Sequence, residues 1–89
     1  MPYIKQERRA RYDYVISNIL SFLQEMPEED RDGELNYLIS VLLKRAYKPL
    51  AYKRINRAMG LLECIKQEYY RVVAGPYEEE KRKTQGDVE

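Results

Sequence analysis

YKRINRAMGLLECIKQEYYRVVA, residues 52–74, is the longest periodic segment of the chain, and its reading decides the fold. On a helical wheel Ile55, Ala58, Met59, Leu61, Leu62, Ile65, Tyr69, Val72 and Val73 fall within an arc of roughly half the circumference. A surface helix with a single neighbour carries an apolar stripe nearer about 100° across. The greater width predicts a helix that touches two or more neighbours, in its own chain or in a second copy. Arg54, Arg57, Cys64, Gln67 and Arg71 lie on the other flank and leave it solvated.

Length and composition narrow the alternatives. The 89 residues make a single domain, and a chain this short buries only about 60–65% of its unfolded surface, so its stability is marginal without some addition. Disulfides are not that addition, because Cys64 is the one cysteine, which fits a reducing cytoplasm. The absence of histidine excludes a Ser/His/Asp triad, a Cys/His dyad and a Cys2His2 zinc site. Dense helix packing or oligomerisation remains. No run approaches 18 uncharged apolar residues, and MPYIKQERRARY lacks the apolar centre of an export signal. The expectation is a soluble cytoplasmic protein with no membrane contact and no cofactor.

The other segments read as shorter helices. Tyr12, Val15, Ile16, Ile19, Leu20, Phe22, Leu23 and Met26 recur at three- and four-residue intervals, which predicts a helix over 8–26 that Pro27 stops. PEEDRD follows as a polar connection, with Asp32 suited to cap the next helix. That helix is predicted over 33–47, with Leu35, Leu38, Ile39, Leu42, Leu43 and Ala46 on one face. Gly75 and Pro76 are read as the stop of the third helix, at 52–74, followed by a short helical turn. The fold class is thus all-α, three main helices in an up-down arrangement, one domain over 1–83 with a flexible tail at 84–89, and a bundle completed by dimerisation.

MPYIKQERR at the start, GELNYLI at 33–39, INRAMGLLECIKQEYYRVVAGPYE at 55–78 and GDV near the end together resemble a family of small uncharacterised proteins from bacterial, archaeal and phage genomes. The resemblance implies a similar helical fold and carries no activity with it. The chain departs from the family pattern at Glu89, where an aromatic residue is expected after GDV.

Four constellations bear on function. Lys66 falls within the apolar arc, and Glu63 or Glu34 is placed to offset its charge. A polar pocket for a small anion is one reading; a lysine whose stem packs on apolar surface while its amine reaches water is the favoured one. Glu34, Glu63 and Glu68 raise a Mg²⁺ site of the kind held by MazG-like nucleotide pyrophosphohydrolases, which pair carboxylates one turn apart on each of two helices. Here Leu38 stands one turn after Glu34, and Glu63 and Glu68 point in different directions, so the set is incomplete and no catalytic or metal residue is assigned.

Lys44, Arg45, Lys48, Lys53, Arg54 and Arg57 form a basic run without an acid, interleaved with Tyr47 and Tyr52, whereas residues 25–34 hold six acids and one arginine. Such a corner suits phosphates and unstacked bases, making a nucleic-acid accessory role the alternative reading. A net charge of +1 favours a solvated corner instead. Nine tyrosines against one phenylalanine suit half-buried contacts, with Tyr37, Tyr69, Tyr70 and Tyr77 as candidates. The leading expectation is a helical interaction or structural module, with Ala58, Leu61, Ile65, Tyr69 and Val72 between the subunits of a two-fold homodimer.

Overall fold

A computed structural model describes residues 3–86, and every regular element among them is helical. The chain divides into two units, one from Tyr3 to Ala51 and the other beginning at Tyr52. No helix among the described residues is long and apolar enough to cross a membrane.

The first unit opens with a single 3-10 turn, Gln6–Arg8, tied down by Arg9, whose Nε donates to the Ile4 carbonyl at 3.3 Å. Helix α1 is Ala10–Gln24 and α2 is Glu28–Ala46. Between them the chain turns in three residues. Glu25 and Met26 donate their amides to the carbonyls of Phe22 and Leu23, at 3.2 and 3.4 Å, so the last carbonyls of α1 are satisfied locally. The last turn of α1 holds no basic residue, but Arg31 of α2 reaches back and its Nε donates to the Leu23 carbonyl at 3.1 Å. That guanidinium supplies the cation which the negative end of α1 otherwise lacks. Leu23, beneath it, is the one buried apolar side chain among the described residues, at 9% exposure.

Both helices of this unit differ from expectation at their ends. The helix predicted over 8–26 is shortened at both ends, and Pro27 does not stop it: α1 has already ended at Gln24. Pro27 instead forms the N-cap of α2, with φ −57° and ψ 150°. A proline costs nothing there, because the first amides of a helix have no internal partner. The helix predicted over 33–47 with Asp32 as its cap therefore starts at Glu28, and Asp32 lies inside it. Glu28, Glu29 and Asp30 fill the first turn, where the positive end of the helix dipole favours them. Helix α2 closes at Tyr47, whose amide donates to the Leu43 carbonyl at 3.1 Å, and the Lys48–Pro49 peptide is cis.

The second unit corrects the reading of Gly75 and Pro76 as a stop. Helix α3, Tyr52–Tyr69, passes into a five-residue π segment, Tyr70–Ala74, and then into α4, Gly75–Gln85, with no residue leaving the right-handed helical region. A proline inside an α-helix removes a donor and drives its ring against the carbonyl four residues back, here that of Val72. The π segment accommodates this by adding one residue to the turn, so that the Gly75 amide donates to the carbonyl of Tyr70. Glycine suits the position because a β-carbon on residue 75 would lie 3.1 Å from that same Tyr70 oxygen. Gly75 itself is helical, at φ −60° and ψ −52°, and the capping conformation belongs to Gly86, at φ 84°, with its amide on the Arg82 carbonyl at 3.0 Å. The continuous helix is about 50 Å long at 1.5 Å per residue. Of the tail expected at 84–89, Thr84 and Gln85 are helical, Gly86 is the cap, and 87–89 lie outside the described residues, as do Met1 and Pro2.

Gly60 lies in the middle of α3, and a β-carbon added there would meet nothing within 4 Å. Glycine in a helix interior costs about 1 kcal/mol relative to alanine, so Gly60→Ala should raise the thermal midpoint by about 2 to 8 °C. A lowered midpoint in a calorimetric scan would show that another backbone approaches α3 at that point.

Candidate interaction surface

The apolar arc of α3 is exposed. Ile65 is 52% accessible, Val72 51% and Tyr69 64%, while Leu61 and Leu62 are each at 38%. Ala58 is half-buried, and Ile55, Met59 and Val73 are exposed like their neighbours. In the first unit Ile16, Leu20 and Phe22 of α1 and Leu35, Ile39 and Leu42 of α2 are also exposed. Isolated apolar residues at a surface are ordinary, but several along one helical face form a contiguous patch of the kind that marks association sites.

The polar candidates are more dispersed. Lys66 is exposed and sits beside a shallow concavity lined by Gln67, Tyr69, Tyr70 and Ala74. Glu63 accepts a hydrogen bond from Gln67 Nε2 at 3.2 Å, and Glu68 forms an ion pair with Arg71 one turn on. Both are pairs along one helix between residues three or four apart, which add a few tenths of a kcal/mol each to helix stability. Glu34 stands on α2, in the first unit. Among the described residues no group of three carboxylate or thiol side chains is gathered as a metal site. Cys64 is an exposed free thiol, as its place on the polar flank of the wheel predicted.

The basic run is divided by its place on the helices. Lys44 and Arg45 occupy the last turn of α2, where cations complement the negative end of the dipole. Lys53, Arg54 and Arg57 lie at the start of α3, whose first turn holds no acid, and Tyr52 beside them is 85% exposed.

One interaction escapes a reading of sequence spacing. Tyr70 donates its hydroxyl to Glu78 Oε2 at 3.2 Å, across eight residues. In a regular α-helix residues seven apart lie nearly in line, about 20° off, whereas residues eight apart lie about 80° round the helix. The extra residue in the π segment brings position 78 back onto the line of Tyr70. The hydrogen bond to Glu78, and secondarily its negative charge, raise the Tyr70 pKa above the usual 10.0. Further along α4, Arg82 bonds Glu79 at 2.6 Å and the Lys81 ammonium lies 5.6 Å from the centre of the Tyr77 ring.

A family model described as Domain of unknown function (DUF6899) matches residues 1–88. No curated protein and no solved structure matches the chain.

Because the folded-state pKa of Tyr70 is raised, whatever the Tyr70–Glu78 bond adds to the helix is present below about pH 10 and lost as pH climbs through the raised value. Ring shifts of Tyr70 followed by NMR through alkaline pH should show it titrating above the usual 10.0, and Glu78→Gln should move it back toward that value. A Tyr70 titration in the parent protein that Glu78→Gln leaves unmoved would mean that the π segment does not hold the pair together in solution.

Proposed function

The chain belongs to this family of unknown function, and we propose that it is a non-catalytic helical module that works by self-association, most simply as a two-fold homodimer in a reducing, cytoplasmic setting. The observation that carries this reading is the exposure of the apolar arc on α3, with Leu61, Ile65, Tyr69 and Val72 between 38% and 64% accessible in a single chain. Full burial of a leucine- or isoleucine-sized side chain is worth roughly 1.5–3 kcal/mol, so a few such residues brought together in a dimer offset the cost of association. Closed two-fold pairs are the commonest way for soluble chains to cover such a face. The tyrosines agree with it: Tyr37, Tyr69, Tyr70 and Tyr77 are all more than half exposed, each with an apolar ring and a polar tip suited to a contact rim.

The polar groups give catalysis no comparable support. Glu63 and Glu68 are each engaged along their own helix, and the mixed-sign surface of a chain with net charge +1 does not single out a polyanion. Nucleic-acid binding through the run from Lys44 to Arg57 therefore ranks second, and Mg²⁺-dependent nucleotide hydrolysis third.

Light scattering at micromolar concentration should give twice the chain mass of 10.7 kDa. Leu61→Glu combined with Ile65→Glu should return a monomer or an insoluble protein. A parent chain that stays monomeric at every concentration tested would overturn the proposal.

A further inference from the structure

The assembly reading leaves open how two copies would meet, and the spacing of α3 restricts the answer. Ile55, Ala58, Leu62, Ile65, Tyr69 and Val72 alternate at intervals of three and four, the spacing of a coiled-coil seam, and they run along about 27 Å of helix. We infer that this seam pairs with the same seam of a second copy running antiparallel, with the two-fold axis crossing between Glu63 and Cys64. The inference rests on the assembly proposed above and specifies its geometry.

Three observations favour that arrangement. The first is size. With the axis at that point, Ile55 lies opposite Val72 of the second copy, Ala58 opposite Tyr69, and Leu62 opposite Ile65. Each layer then joins a smaller side chain to a larger one, or two of similar bulk, which keeps the helices evenly spaced. A parallel pairing sets Ala58 on Ala58 and Tyr69 on Tyr69, with a void at one layer and crowding at the other.

The second is charge. Lys53, Arg54 and Arg57 crowd the start of α3, whose first turn holds no acid. A parallel pair would bring both sets to one end within the roughly 8 Å over which charges act at physiological salt. The antiparallel pair separates them by the length of the seam. Beside the seam it places Met59 near Lys66 of the second copy and Leu61 near Glu68, so like charges do not meet there. It also gives Lys66 a reason to lie within an apolar arc: its stem covers Met59 while the ammonium stays in water.

The third is area. The eight large residues of the arc are each 38–64% exposed. Half-exposed side chains of this size offer on the order of 80 Å² each, and on the order of 600–700 Å² together, close to the roughly 800 Å² per partner of a stable interface.

The test uses the full chain with Cys64→Ser and Tyr52→Cys, carrying a nitroxide at position 52, where the native side chain is 85% exposed and its replacement leaves the seam intact. In the antiparallel pair the two labels are separated along the axis by about 34 Å, and dipolar spectroscopy should read about 35–40 Å between them. A distance below about 20 Å at dimer mass indicates parallel chains and overturns the inference while leaving the assembly reading intact. Monomer mass with no dipolar coupling overturns both. Independently, in the Cys64→Ser background, Ala58→Cys and Tyr69→Cys proteins should oxidise to a disulfide-linked dimer when mixed and not when kept apart. Efficient cross-linking of Ala58→Cys to itself would again indicate parallel chains.

Discussion

Water against the apolar side of α3 is the constraint on which the rest of this molecule depends. One buried leucine among the described residues is far too little apolar burial to offset an ordering cost of about 1–2 kcal/mol per residue in backbone entropy alone. Helices draw most of their stability from packing an amphipathic face, and propensity by itself leaves even long ones marginal. A chain with amphipathic faces this exposed stands to gain most where those faces are covered, which is the premise of the proposed self-association. This links the composition, the exposure of the arc and the proposed function: on that proposal, a small helical chain with a single cysteine covers its apolar faces by association.

The π segment is the second organising feature, because it turns a sequence that would end one helix and begin another into a single continuous rod. Gly75 and Pro76 act together there. Proline supplies no amide at a position where one would have been needed, and glycine leaves room for the Tyr70 carbonyl to be approached from five residues ahead. The same extra residue rotates α4 relative to α3, and in doing so creates the Tyr70–Glu78 contact. Such segments are often found at functional sites. In this chain it overlaps one end of the proposed seam, with Tyr69 just before it, Val72 within it and the charged surface of α4 after it.

Much of this was legible in the residues, and the misses share one cause. The three- and four-residue recurrence in 12–26, 35–46 and 55–73 located three helices, because apolar periodicity reports directly which side of a helix avoids water. Where a helix has no apolar side, that signal is silent. The first turn of α2 is Glu28, Glu29, Asp30 and Arg31, and α4 is mostly charged, so both extensions had to be inferred from punctuation. Prolines then misled. Pro27 read as the end of one helix is the start of the next, and Pro76 read as a stop is absorbed within a helix. The side-chain pairs Glu63–Gln67 and Glu68–Arg71 follow from helical spacing alone, whereas Tyr70–Glu78 does not, because residues eight apart come into line only once the turn between them is widened.

The central claim is that folding and association are one process in this protein. The most direct measurement is thermal unfolding followed by circular dichroism over a roughly 100-fold range of protein concentration, since a partner that binds only the folded chain shifts the midpoint by mass action. The account predicts a midpoint that rises steadily with concentration, with helicity and dimer mass lost together on dilution. A midpoint that stays fixed across that range, with full helicity at the lowest concentration, would contradict it.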